Sequence, residues 1–251
     1  MPKLSLKNIR LITFDVTGTL LKFRNSPGRE YANIGNLHGI KCTEQDLNNK
    51  IKATIKNLNK THPNYGKFSG IGWEKWWHKV IQSAFEEFTT DEEKLQPISK
   101  DLIAIYQTSL CWKHTFGAVE LLDTLKSRDI QLGVISNFDP RLSVILKNLQ
   151  IDQYFKFVIN SFEAGVEKPD RRIFRMANNF SNVKNLLPAE SLHIGNSLEL
   201  DYKGAINADW KAALISKEVP EHAIPEHAVF ASLSNLKNSL LDEKCVKLAN
   251  V

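Results

Sequence analysis

From residue 117 onward the chain repeats one pattern, a helical stretch followed by a short run of uninterrupted apolar residues. "GAVELLDTLKSR" leads to "LGVIS" (132–136), a helical stretch near 140–149 to "FVIN" (157–160), one near 170–180 to "LHIG" (192–195), and one near 199–208 to "AALIS" (212–216). Strands that are apolar at nearly every position are buried on both faces, which requires a parallel sheet with helices above and below. The run "LITF" at 11–14 is of the same kind, and a helix at 233–241 closes the set. The expected fold class is α/β, a Rossmann-like parallel sheet.

Between the first strand and that repeat the periodicity is helical. Thr43 before "EQD" reads as an N-cap with an acidic first turn, and Leu47, Ile51, Ile55 and Leu58 recur at helical spacing. "THPNYGKFSGIG" (61–72) is a Pro/Gly loop, and "WEKWWHKVIQSAFEEF" (73–88) and "ISKDLIAIYQTSL" (98–110) are helical again. The expected organisation is an α/β core of residues 1–21 and 116–251 with a helical block, 22–115, inserted into it. Trp73, Trp76 and Trp77 form one stripe that packs inside the block, while Arg24 and Arg29 read as solvated surface and His193 as a packing residue.

A chain of 251 residues builds such a core without disulfides, and its three cysteines, Cys42, Cys111 and Cys245, are far apart and in no metal-binding spacing. The N-terminus lacks the apolar stretch of a secretory signal, and no run is long enough to span a membrane. A cytoplasmic protein is the expectation. The net charge of +5 comes from Lys and Arg spread among acids. That argues against a nucleic-acid footprint, which requires clustering, and favours small anionic substrates.

Ligands of open α/β sheets sit beyond the carboxyl ends of the strands. Here those ends carry Asp15 with "VTGT", Ser136 with Asn137, the segment "EAGVEKPD" after Asn160, and Gly195-Asn196-Ser197 running to Asp201. In this order they resemble the four motifs of the haloacid dehalogenase-like hydrolase superfamily: "DVTGTL" the first, "VISN" the second, the lysine of "EKPD" the third, "IGNSLELD" the fourth. The inserted block is similar to the helical cap of that superfamily. The wording around the first motif and the Trp-rich segment resembles the rhythmically-expressed-gene-2 type subgroup.

The resemblance implies roles. Asp15 is the nucleophile that forms an aspartyl-phosphate. Gly18 allows close backbone approach, and Thr19, Ser136 and Asn137 bind the phosphate. Lys168 offsets the charge of Asp15 and of the transferred group. Asp15, the backbone carbonyl of Thr17, Asn196 and Asp201 hold a weakly bound Mg²⁺. The substrate is a small phosphate ester.

Two positions depart from the phosphatase pattern. A second Asp normally stands two residues after the nucleophile, where it protonates the leaving group and activates water; here it is Thr17. The fourth motif normally begins Gly-Asp; here it is Gly195-Asn196. Ion-pumping P-type ATPases of the same superfamily also carry Thr at the first place, and metal-independent dehalogenases lack both acids. A weak Mg²⁺-dependent phosphatase, a metal-independent dehalogenase-type hydrolase and a binding protein using an old phosphate site all remain open on these residues.

Overall fold

The structure is a computed structural model and describes residues 4–128, 130–218 and 224–248. Its strands in chain order are β1 (Leu11–Phe14), β2 (Leu21–Phe23), β3 (Trp112–His114), β4 (Gln131–Ser136), β5 (Phe157–Asn160), β6 (Ser191–Gly195), β7 (Lys211–Ile215) and β8 (Val229–Phe230). Six of them form one sheet in the order β5-β4-β1-β6-β7-β8, every neighbouring pair parallel, and β2 and β3 form a two-stranded sheet.

The four residues of β1 are sealed, as are Val134, Ile135, Leu192 and Ile194 on its neighbours. Each fully buried aliphatic side chain contributes roughly 1.5–3 kcal/mol, so the centre of the sheet is the anchor of this unit. Phe14 is level with Val134 of β4 and Ile194 of β6. The residues that follow these three positions therefore emerge together at one edge of the sheet.

The chain divides into two compact units. One comprises Met1–Lys22, His114–Asn137 and Ile151–Val251, the other Phe23–Lys113 and Phe138–Gln150. The second unit holds helices α1 (Pro27–Leu37), α2 (Glu44–Thr61), α3 (Trp73–Phe85) and α4 (Glu92–Ile105). Thr43 caps α2 through a full capping box with Asp46. The last helix of the block starts at Glu92, with the Asp91 side chain accepting from Glu93 N–H, and ends at Ile105 rather than 110. Its core is built on Leu47, Ile51, Trp76, Ile81, Phe85 and Leu95.

Of the Trp stripe only Trp76 is sealed; Trp73 and Trp77 are half-buried. They are held by the segment 138–150, in which Arg141 lies 5.1 Å from the Trp73 ring centre and 5.2 Å from that of Trp77. Trp77 Nε1 donates to Asp139 Oδ2 at 2.8 Å, and Arg141 donates to both oxygens of Asp139. Arg24 and Arg29 are exposed. Cys42 and Cys111 are free and buried, and the side chain of Cys245 lies outside the described residues. No helix among the described residues is long and apolar enough to cross a membrane.

Candidate active site

Asp15 follows β1 directly, and its N–H donates to Ile194 O at 2.9 Å, carrying the β1–β6 ladder one step past the strand. The chain then turns sharply, with the N–H groups of Leu20 and Leu21 both donating to Val16 O at 2.9 Å. Gly18 sits in that turn at φ +86°, and a Cβ there would meet Asn196 Nδ2 at 2.5 Å. Gly18→Ala should therefore cost about 2 kcal/mol of stability, from the left-handed backbone and the displaced amide together. Urea unfolding measures it, and an unchanged midpoint would refute the packing described for this turn.

Three side chains hydrogen-bond Asp15, and two more are joined to it through them. Lys168 Nζ donates to Asp15 Oδ1 at 2.9 Å and Ser136 Oγ donates to the same oxygen at 3.2 Å. Thr19 Oγ1 lies 3.3 Å from Asp15 Oδ2 and 3.1 Å from Asn196 Oδ1, so its single proton serves two acceptors. Lys168 Nζ also donates to Asp201 Oδ1 at 2.6 Å and to Ile135 O at 2.8 Å. An ammonium has three protons, and all three are used. Asp201 Oδ2 accepts from Ser197 N–H at 2.8 Å, and its carboxyl packs so closely on Gly195 that a Cβ there would lie 2.2 Å from Cγ.

Lys168, Asp201 and Ser136 are sealed, and Asp15 is nearly so. Burial pushes the Asp15 carboxyl above its ordinary range, against the pull of Lys168. Burial works to raise Asp201 too, but the Lys168 ammonium and the His193 hydrogen bond hold it well below that range. Burial likewise opposes the charge on Lys168, and there the two carboxylates prevail and raise its pKa.

The residues expected from the sequence make different contacts. Asp15, Thr19, Ser136, Lys168 and Asp201 share one hydrogen-bonded cluster, joined by Asn196 through Thr19. Asn137 bonds the backbone of Lys168: its Nδ2 donates to Lys168 O at 2.9 Å and its Oδ1 accepts from Lys168 N–H at 2.8 Å. That side chain clamps the backbone of the lysine. Thr17 Oγ1 is buried and has no hydrogen-bond partner.

His193, read from sequence as packing, is sealed but polar in its contacts, with Nδ1 2.8 Å from Thr13 Oγ1 and Nε2 3.1 Å from Asp201 Oδ1. Burial holds it below its ordinary pKa, so the ring is neutral. The available signal was a His and a Thr inside two otherwise apolar strands.

Residues 9–209 match the family model described as haloacid dehalogenase-like hydrolase. The chain is 41% identical to the rhythmically expressed gene 2 protein of Drosophila melanogaster over 253 residues, covering 95% of this chain and 97% of that protein. Among solved structures it resembles YfnB of Bacillus subtilis, solved bound to magnesium (TM-score 0.66, 18% identity, 93% of this chain and 99% of that one). It also resembles the 2-haloacid dehalogenase of Pseudomonas syringae pv. Tomato DC3000 (TM-score 0.65, 19% identity, 94% and 99%).

Proposed function

The chain belongs to the haloacid dehalogenase-like hydrolases, and on that premise we propose that it is a slow phosphatase acting on small phosphate esters through Asp15. One observation supports this above the others. Oδ1 of Asp15 is tied down by Lys168 and Ser136, while among the described residues Oδ2 meets only a hydroxyl proton it shares with Asn196. Oδ2 is thus the free nucleophilic atom, oriented by the bonds to its twin.

In this reading Asp15 Oδ2 forms a bond to phosphorus as the ester P–O bond breaks, and the alkoxide leaves with a proton from solvent. Water then attacks the phosphorus of the aspartyl-phosphate, releasing phosphate and regenerating the carboxylate. Ser136 and Lys168 hold Asp15 through both steps. Lys168 has no proton to spare for substrate, so its work is on the two carboxylates. Thr17 supplies neither acid nor base, which makes both steps slow. The helical unit is read as the cap domain of this family.

The residues fit a weakly held hard cation. One Thr19 proton between Asp15 Oδ2 and Asn196 Oδ1 leaves oxygen lone pairs in surplus there, and the Thr17 hydroxyl is buried without a partner. Asp15, Asn196 and the Thr17 carbonyl would hold Mg²⁺, with Asp201 committed instead to Lys168, His193 and Ser197 N–H. Bound there, Mg²⁺ offsets negative charge on Asp15 and on a transferring phosphoryl group. Asn196→Asp restores a carboxylate, and should tighten Mg²⁺ binding in the presence of inorganic phosphate about tenfold, since ligand charge tunes affinity. A calorimetric titration with no such gain would remove Asn196 from the metal set.

A metal-independent, dehalogenase-type displacement by the same Asp15 is the second reading. It is favoured by one fact: Thr17 and Asn196 stand at the two places where the phosphatase pattern carries acids and the metal-independent dehalogenases carry none. Turnover of an activated aryl phosphate with and without Mg²⁺, beside halide release from a 2-haloacid, separates the two. Turnover of neither, with phosphate still bound, would leave only a binding role.

A further inference from the structure

Thr13 and His193 are polar residues at the centre of two strands whose other positions are apolar or, at the ends, Ser191 and Gly195. They are register partners across the β1–β6 pair, and both are fully sealed. An apolar pair would fill the same place with no hydrogen bonds to satisfy. Edge-on packing of His193 against Phe174, with centres 5.4 Å apart, shows that the pocket already accepts a ring.

The far side of the imidazole shows what the polar pair achieves. His193 Nε2 is 3.1 Å from Asp201 Oδ1, the oxygen that also accepts from Lys168 Nζ. The ionised Asp201 can only accept, so Nε2 carries the proton and Nδ1 takes the hydroxyl proton of Thr13. A directed chain results: Thr13 to His193, His193 to Asp201, and Lys168 to both Asp201 and Asp15. Among the described residues the other holds on the Asp201 carboxylate, the Ser197 N–H and the packing on Gly195, both act at the Oδ2 side, so the two donors are what aim Oδ1 at the ammonium.

We propose that His193 is a positioning residue: fixed in one tautomer by Thr13, it holds Asp201 in place and thereby sets the Lys168 ammonium against Asp15. No atom of His193 reaches substrate in this scheme, so its loss lowers kcat and spares KM. Only this kinetic effect rests on the phosphatase reading above.

The test uses His193→Phe, which keeps a packed ring and removes both hydrogen bonds, and His193→Gln, whose amide nitrogen reaches about as far as Nε2. Two measurements are made on the full chain. The first is the ¹⁵N-correlated resonance of the Lys168 ammonium, visible while its protons are held in hydrogen bonds. It should be present in the wild type, lost in His193→Phe and recovered in His193→Gln. The second is aryl phosphate turnover, in which kcat should fall about tenfold in the Phe variant with KM unchanged and recover in the Gln variant.

An unaltered Lys168 resonance in folded His193→Phe overturns the proposal, as does a fall in kcat that Gln fails to rescue. If His193→Phe does not fold, Thr13→Val/His193→Phe supplies an all-apolar pair for the same two measurements. A wild type inactive on every ester defeats the phosphatase reading alone, and the Lys168 resonance still decides the role of His193.

Discussion

Asp15→Asn should abolish turnover of phosphate esters, a loss on the order of 10⁴-fold or more, and leave the fold standing. The amide has the shape of the carboxylate. Its oxygen can accept from Lys168 and Ser136 as Oδ1 does now. Its NH₂ can then donate to Thr19 Oγ1, whose own proton goes to Asn196 Oδ1. Every hydrogen bond around position 15 therefore has a counterpart in the variant; the nucleophile is gone, and Lys168 keeps Asp201 as its charged partner. Acid-quenched intact mass gives the direct check: a phosphoryl adduct in the wild type, none in Asp15→Asn. Equal turnover in the two proteins would end the case for covalent catalysis at this residue.

Thr17→Asp is expected to move activity the other way. The Thr17 hydroxyl is buried with no partner, so a carboxyl there would enter a place without donors. Burial without donors raises a carboxyl pKa, which favours the protonated form that a leaving alkoxide needs. Alkyl phosphates should gain about tenfold or more, and aryl phosphates less, because their leaving groups depart without a proton. The gain should stay below the full 10²–10⁴ of an evolved acid/base, whose supporting residues a graft lacks. Were the variant to fold and bind Mg²⁺ with phosphate yet gain on no ester, Thr17 would not be the cause of slow turnover, and Asn196 would be the next residue to change.

The sheet was legible because doubly buried strands announce themselves as apolar runs, and each of the four central ones was located to within a residue or two. Their ends were legible for a related reason: Asp15, Ser136 and Asn196 interrupt or follow an apolar run with a polar group that has no purpose in the core. Other features left weaker marks. The strands β2 and β3 are three residues each and lie on either side of the long insertion, too short to show a period. The π-helical turn Leu198–Lys203, which swings Asp201 back onto Gly195, looks like ordinary helix in sequence. Asn137 beside Ser136 reads as a second phosphate donor, and no local pattern reveals the two hydrogen bonds its amide makes to the Lys168 backbone. The pairing of Thr13 with His193 depends on register between segments far apart in the chain, which no local pattern reveals.

The placement of β1 bears on how the chain comes off the ribosome. This strand is the apolar spine of the sheet, yet its two neighbours begin only at Gln131 and Ser191. The helices of the insertion meet one another across short separations, and such local contacts form early, while distant strand pairing is slow. During synthesis the insertion is thus expected to be folded while "LITF" still waits, unpaired and adhesive, for strands not yet made. That interval is where a nascent chain of this design is most exposed to aggregation, and where chaperone capture at the N-terminus would count most.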